Sequence, residues 1–461
     1  MGAMPPTPYD LVPYPAAPRR ETHPDALAAM ATLFGLRPPP IEAWRVLEVG
    51  CSDGGNVLPM AVGLPEARFL GIDLAAPAVE RGRDLARRAG LANVELRVED
   101  LRALETAGPF DAIIAVGVFS WVPAEVRRAL LALIGRHLAP AGVACVSWNA
   151  LPGWRERGRV RRLLLERTAH LGDLGERVRA ARAILGRIGD ELPDLPAKER
   201  AYLQDVVEDA HLAHDLLAEV NEPLGIRDFL ALAAEAGLAY LAEADLAGTA
   251  PTPAAPLDDA ARIALEEAHD DARGRSFRRT LLRRADAPVA TALGADSLRA
   301  LHVASAFEAP LDPVLRPLHE AWPRALPFEA LRLAQPGQDA EATAAAILAA
   351  VRGRRAELRL RPLLGADRAG ARPVASPLAR LLAVEREAVP NLRHARVRLS
   401  ARERALLPLL DGRRDRGALA HALGWDADAL DAALRRLARA GLILEADRGP
   451  QGHPDGAIPL S

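Results

Sequence analysis

Aromatic residues are scarce in this chain: 6 tryptophans, 4 tyrosines and 8 phenylalanines among 461 residues. An Ala/Leu-rich core has to form largely without them, so the places where they gather are informative. Four of the tryptophans, Trp44, Trp121, Trp148 and Trp154, fall before residue 155. Cysteine is rarer still. Cys51 and Cys145 sit on or beside expected core strands and read as reduced, small buried residues. No apolar run reaches 18 residues, and the N-terminus is polar and proline-rich, so neither a membrane-spanning helix nor a signal peptide is expected. The expected location is cytoplasmic. No single sign of charge dominates either: a net charge of −2 argues against a chain built mainly to bind nucleic acid.

What is present is a chain with 50% hydrophobic residues, long enough for roughly two to four domains. It is organised around the stretch Arg45 to Asn56. The apolar run Val46 to Val49 ends in Gly50-Cys51-Ser52-Asp53-Gly54-Gly55, and a helical stretch follows from Asn56 to Gly63. That is strand, tight turn, helix, the opening of a parallel α/β unit. Glycines let the backbone approach a ligand, and the helix start offers unpaired N–H groups. Two ligands compete for this turn. A dinucleotide fingerprint, G-x-G-x-x-G, requires glycine where Ser52 stands. The S-adenosylmethionine loop, acidic-x-Gly-x-Gly-x-Gly, reads as Glu48-x-Gly50-x-Ser52-x-Gly54, and Glu48 fits only this version.

Strands and helices alternate from there to residue 150. Arg68 to Asp73 reads as a second strand, and Asp73 at its C-terminal end can accept both ribose hydroxyls of an adenosine. NAD and S-adenosylmethionine share that contact, so Asp73 does not separate them. Val94 to Val98 is a third strand, after which Asp100 is placed to receive the adenine amino group. Phe110 to Val116 is a fourth, leading into Gly117-Val118-Phe119-Ser120-Trp121. A helix from Ala124 to Leu138 ends in the turn Leu138-x-Pro140-x-Gly142 before a fifth strand, Val143 to Trp148. That turn is common in methyltransferases and rare in hydride-transfer enzymes, which moves the balance to S-adenosylmethionine.

The remaining organisation follows from composition and periodicity. Residues 1–44 read as an N-terminal lid carrying Tyr9 and Tyr14, then a cap helix running to Phe34 with Thr22 as its N-cap. Residues 45–154 form the cofactor-binding core, and 155–220 a helical insertion with an Arg-rich start. His211 and His214 lie three apart within it, but with no third ligand in register a zinc site is not expected. Residues 221–285 supply a sixth strand, Gly237 to Leu241, and a seventh, Ser276 to Leu282, completing the sheet. Residues 286–364 and 381–461 read as two winged-helix-like modules joined by a linker, 365–380. Each is read as helices closed by a short hairpin, at Ala356 to Leu360 and Gly441 to Leu444. In the second, Asp411, Asp415, Asp426, Asp428 and Asp431 dilute the basic side chains, which favours packing or protein contact over DNA binding. The fold class is α/β: a Rossmann-like, seven-stranded core with a helical insertion and C-terminal α+β winged-helix-like modules.

Several stretches together resemble a known family. They are Tyr9-Asp10 with Pro13-Tyr14-Pro15, Thr22-His23-Pro24, Glu48 to Asn56, Gly117 to Pro123, and Asn149-x-x-Pro152-Gly153-Trp154. Asn221-Glu222-Pro223-Leu224, Arg275 to Leu282 and Asn391-Leu392-Arg393-His394 complete the set, which spans nearly the whole chain. The chain resembles class I S-adenosylmethionine-dependent methyltransferases of bacteria that carry a methyltransferase regulatory domain, a family that includes protein lysine methyltransferases acting on outer-membrane proteins. The resemblance implies cofactor contacts at Glu48, Gly50, Cys51, Ser52, Gly54, Asn56, Asp73, Leu74, Asp100, Leu101, Gly117 and Val118. Phe119 and Trp148 depart from it, standing where tyrosines are common.

Methyl transfer is an in-line displacement, so catalysis is chiefly positioning and desolvation. Cationic sulfonium and ammonium groups favour aromatic faces. Trp121 and Trp148, with Asn149 as a hydrogen-bonding partner and Tyr14 if the lid closes, are therefore the candidate catalytic residues. A lysine acceptor must lose its proton, which from a reference pKa near 10.4 costs about 4.6 kcal/mol at pH 7. The expected activity is N-methylation of a protein or peptide. A small-molecule methyltransferase and a non-catalytic cofactor-binding regulator are the alternatives. A homodimer is left open, and no nucleic-acid, membrane or metal partner is expected.

Overall fold

Six runs carrying Val, Ile, Leu and Ala and one arginine-rich run, the last, become the strands of one sheet: β1 (Arg45–Val49), β2 (Arg68–Asp73), β3 (Val94–Val98), β4 (Phe110–Ala115), β5 (Leu138–Asn149), β6 (Leu238–Glu243) and β7 (Phe277–Arg284). This architecture is seen in a computed structural model that describes residues 16–105, 108–204, 209–251, 256–306, 313, 315–335, 337 and 339–445. The strand order is β3-β2-β1-β4-β5-β7-β6. β1 to β5 run parallel, and β7 is antiparallel to both of its neighbours. The chain reverses its direction of travel across the sheet between β1 and β4, which opens a crevice at their C-terminal ends.

Alternate side chains along each strand serve opposite faces. Val46, Phe69, Ala112, Ile114, Val143 and Cys145 pack on one side. There they meet helices α1 (Pro24–Leu33) and α2 (Val57–Gly63), and the same core continues into the C-terminal module through Leu378, Val389 and Leu392. Leu47, Leu70, Ile113, Ala144, Val146 and Trp148 pack on the other side. Helices α3 (Ala124–His137) and α4 (Ile226–Glu235) cover that face. Both cysteines are free and buried.

The β6–β7 end is tied down by charge. The Arg278 guanidinium, fully buried, donates to Glu243 at 2.8 Å, Glu266 at 2.6 Å and Asp270 at 2.9 Å. A buried cation of this kind is tolerated because each face of the fork has a carboxylate, and removing one partner would leave charge unpaired. Glu266 and Asp270 belong to the helix Asp259–Arg273, so the cluster fixes that helix to the last two strands.

Local corrections to the sequence reading have clear causes. Pro140-Ala141-Gly142 is not a turn: β5 is extended from Leu138, which pairs with Phe110 before a register shift places Val143 beside Ala112. The N-cap of α1 is His23, whose Nδ1 accepts the Asp25 N–H at 3.1 Å, while the Thr22 hydroxyl donates to the Arg19 carbonyl. The insertion begins at Leu151, with the helix Leu151–Thr168, and has its own core around Val160, Val178 and Leu216.

In the C-terminal region, β8 (His302–Ala304) lies between β9 (Leu326–Pro327) and β10 (Glu357–Arg359). A hairpin of β11 (Ala388–Pro390) and β12 (Arg396–Arg398) precedes the helices Ala401–Leu406, Arg416–Leu423 and Ala427–Arg439. Ile443 pairs with Ala375 rather than closing a hairpin of its own. The stretch read as a linker therefore packs into this module, with the Ala375 N–H donating to the Leu410 carbonyl.

Candidate cofactor and acceptor site

The loop after β1 is shaped by three residues with positive φ. At Gly50, φ is +77°, and a Cβ there would lie 2.5 Å from Val118 Cγ2. Only glycine lets the turn after β1 approach the turn after β4 this closely. Ser52, where the expected pattern has glycine, is itself left-handed at φ 51°. Its N–H donates to Asp73 Oδ2 at 2.8 Å, and Asp73 Oδ1 accepts the Ala75 N–H at 2.9 Å. Asp73 is thereby held at the end of β2. Gly54 bends the loop against Leu58 and Leu96 and does not line the cavity described below.

Glu48 is 5% exposed, and its Oε1 accepts from Asn56 Nδ2 at 2.7 Å. Its other oxygen, Oε2, is buried without a hydrogen-bond partner among the described residues. Burial pushes this carboxyl up to about 7, against the opposing hydrogen bond from Asn56 and the charge of Arg19. Asn56 is the hub here. Its Oδ1 accepts the Arg19 N–H at 2.9 Å and faces His394 Nε2 at 2.7 Å. The segment from Ala16 to Arg19 crosses the loop so closely that a Cβ on Gly55 would lie 2.8 Å from Ala16.

These elements wall a cavity of about 700 Å³, within the range typical of ligand sites. Glu48, Gly50, Cys51, Ser52, Asn56, Asp73, Leu74, Asp100, Leu101, Gly117 and Val118 all line it, as do Trp121 and Asn149. Asp100 is paired with Arg102, which holds its carboxyl below the usual range. Asn149 is oriented at both ends: its N–H donates to Ser120 Oγ at 2.8 Å, and its Nδ2 to Asn221 Oδ1 at 2.9 Å.

S-adenosylmethionine fits these walls. The unpaired Glu48 oxygen offers an acceptor to a cationic group, Asp73 and Asp100 offer acceptors at the ends of β2 and β3, and Gly50 leaves backbone exposed to the ligand. Glu48, Asp73, Asp100 and the Gly117–Val118 turn are the groups that would hold it.

The candidate Trp148 lies elsewhere, as does Phe119. Trp148 is 1% exposed, stacks on Phe229 at 4.6 Å and donates its indole N–H to Thr280 Oγ1 at 3.0 Å. β5 turns this side chain to the face opposite Cys145, into the core beneath α3 and α4. Phe119 is fully buried in the same core. Tyr9 and Tyr14 lie outside the described residues.

The insertion adds Arg157, Tyr202 and Asp215, which the sequence reading missed, to Trp154 and the histidine pair, which it had singled out. Trp154, Arg157, Tyr202, His211, His214 and Asp215 line the same cavity, with Phe277 from the start of β7. Trp121 meets Trp154 edge-to-face at 6.1 Å, and the Arg157 guanidinium lies 3.9 Å from the centre of the Tyr202 ring. Asp215 sits in a single π-helical turn, Leu212–Leu216, a distortion often found at functional sites. Burial pushes its carboxyl up to about 6, opposed by His211 and Arg157. Trp154 was legible from its motif and His211 and His214 from their spacing, whereas Arg157, Tyr202 and Asp215 gave no signal.

Three family profiles match the chain: "Methyltransferase domain" over residues 46–142, "Predicted methyltransferase regulatory domain" over 208–284, and "PKMT, C-terminal winged helix domain" over 371–436. Two uncharacterized proteins of Rickettsia prowazekii are similar in sequence. One is 34% identical over 246 residues, 52% of this chain and 44% of its own length. The other is 32% identical over 229 residues, 48% of this chain and 92% of its own length. The chain thus spans under half of the first relative and nearly all of the second. In fold it is similar to PKMT2 from Rickettsia typhi in complex with AdoHcy, with a TM-score of 0.78 and 21% identity, covering 94% of this chain and 100% of that one. With the cofactor loop, the seven-stranded order and the regulatory segment that completes the sheet, the chain belongs to the S-adenosylmethionine-dependent methyltransferases that carry a methyltransferase regulatory domain.

Proposed function

We propose that the chain transfers the methyl group of S-adenosylmethionine to the side-chain amine of lysine in a protein acceptor, in the cytoplasm. The observation that carries this reading is a chamber with both an aromatic wall and a carboxylate, Trp121, Trp154, Tyr202 and Phe277 around Asp215, continuous with the cofactor cradle. Aromatic faces attract a methylated ammonium and exclude water from it. The PKMT-type winged helix and the likeness in fold to PKMT2 support a protein acceptor.

The cofactor supplies a methyl group activated on a sulfonium. On the protein side, burial among the aromatic rings lowers the roughly 4.6 kcal/mol cost of forming neutral amine at pH 7, and Asp215 is the group that accepts the proton the ammonium gives up. With the cofactor held by Glu48, Asp73 and Asp100, its methyl carbon would be taken by the nitrogen lone pair and the carbon–sulfur electron pair would stay with sulfur. Asn149, held by Ser120 and Asn221, orients the amine, and Trp121 and Trp154 keep water from the line of transfer.

The test is methyl transfer from tritiated cofactor into a bacterial lysate, separated by size. Label in the protein fraction supports the proposal, and label confined to small molecules contradicts it.

A further inference from the structure

A second cavity, about 600 Å³, shares no residue with the cofactor chamber. It lies where the start of α1, the turn after β6, strands β7, β8 and β10, and the C-terminal module meet. Its chemistry is unusual. Six arginines line it, Arg20, Arg279, Arg354, Arg355, Arg359 and Arg393, against four carboxylates, Glu21, Asp25, Asp245 and Glu357.

The carboxylates are already engaged. Glu357 pairs with both Arg20 and Arg359, Glu21 with Arg279 at 2.5 Å, and Asp245 with Arg354 at 2.7 Å. Asp25 accepts the backbone N–H groups of Leu360 and Arg361 at 3.1 and 3.0 Å. His23, also on the wall, is held neutral by burial.

Arg359 and Arg393 are left in a costly state. They are 3% and 9% exposed, and the Nη1 of each is buried without a hydrogen-bond partner among the described residues. Both guanidiniums lie over the Trp322 ring, at 5.5 and 4.9 Å from its centre. Burial, and then the neighbouring charges of Arg359 and Arg20, pull Arg393 down to about 9. Unpaired guanidinium N–H groups on the wall of one cavity are expensive unless something with several acceptor oxygens completes them.

We propose that this cavity binds a phosphate group, free or carried by a small molecule, between the Arg359 and Arg393 guanidiniums with Trp322 packed against them. A guanidinium fork matches two phosphate oxygens at once. Six arginines against four carboxylates leave positive charge that a dianion neutralises, where a carboxylate would neutralise less of it.

The experiment uses the full chain at fixed ionic strength set with chloride. Inorganic phosphate and glucose 6-phosphate are titrated by calorimetry and by thermal unfolding, with and without saturating S-adenosylhomocysteine. Saturable binding and a rise in Tm with phosphate but not with chloride, unchanged by S-adenosylhomocysteine, are expected. Arg359→Gln and Arg393→Gln should each weaken phosphate binding at least tenfold. Tighter binding of the sugar phosphate identifies a carried phosphate as the ligand, and equal binding identifies the free anion. The proposal is overturned if phosphate acts no differently from chloride, if S-adenosylhomocysteine displaces it, or if both variants, folded by circular dichroism, bind it as wild type does. The wild-type titrations decide the matter even where a variant does not fold.

Discussion

His394 Nε2 lies 2.7 Å from Asn56 Oδ1, joining residues 338 positions apart. Asn56 in turn holds Glu48, so the C-terminal module stands two hydrogen bonds from the Glu48 carboxylate. The directions are determined by the network. Asn56 Oδ1 accepts from the Arg19 N–H and its Nδ2 donates to Glu48, so the His394 Nε2–H must donate. Burial holds His394 neutral, well below the usual imidazole range, as a single-proton donor.

This arrangement ranks two substitutions. Asn56→Ala leaves the Glu48 carboxyl buried without its donor, which costs about 1–3 kcal/mol. If that cost falls on the bound state, calorimetry with S-adenosylhomocysteine should show a loss of roughly 5- to 150-fold in affinity, at about 1.4 kcal/mol per tenfold. His394→Ala removes one of several groups on Asn56 Oδ1 and should cost less, while still lowering cofactor affinity from across the molecule. Unchanged affinity in the His394 variant would show that the module does not brace the loop.

Glu48 makes cofactor binding pH-dependent. Its carboxyl is raised to about 7 by burial, against Asn56 and Arg19 and with the help of Asp73 and Asp53. A cationic ligand favours the ionised form, so binding should expel a proton near pH 6.5. Affinity should rise with pH through about 7 and then level off. Calorimetry in two buffers of different ionisation enthalpy measures the proton directly, and Glu48→Gln should abolish its release. Because the folded value lies above the unfolded one, the sign for stability is opposite: the charge on Glu48 costs stability increasingly from pH 4.5 to about 7.

The two tryptophans separate structure from chemistry. Trp148→Phe loses the hydrogen bond to Thr280 while keeping a ring on Phe229, and should cost about 1–2 kcal/mol in denaturant unfolding with turnover preserved. Trp121→Ala, half-buried in the chamber wall, should leave stability within about 1 kcal/mol while turnover falls and the KM for acceptor rises. The opposite pattern would return Trp148 to the site.

Much of this was legible in the residues. Glu48, Gly50 and Asp73 follow from a strand, a tight turn and a second strand end, all local in sequence, and the same local order predicts the seven strands. Trp148 was misplaced because β5 runs on through Asn149, which keeps Trp148 inside the sheet opposite Arg278, and alternation there sends its side chain to the face away from Cys145. Asp215 and Tyr202 were not legible because their approach to the cavity depends on how the insertion folds back, and the insertion's charge pattern looks like any solvated helix. The stretch Asn391 to His394 was legible as a motif, but that it reaches Asn56 follows only from tertiary packing.

Asp215 carries a stability signature as well as a catalytic one. Its carboxyl is raised by burial to about 6, so its ionisation costs stability increasingly from pH 3.8 to about 6 and by a constant amount above. Asp215→Asn should therefore be at least as stable as wild type at pH 7 while kcat falls roughly 100-fold. The limb of the rate profile near pH 6 should vanish with it, and S-adenosylhomocysteine affinity should not change. A variant that loses stability and activity together would mark Asp215 as structural.

The central claim is that the chamber delivers a methyl group to a lysine nitrogen. The most direct measurement is hydrolysis of protein labelled by this enzyme and isotopic S-adenosylmethionine, with the modified amino acid identified by mass spectrometry. The expected result is labelled methyllysine, lost in Asp215→Asn. Label on any other side chain, or cofactor bound with no amino acid modified, would contradict the account.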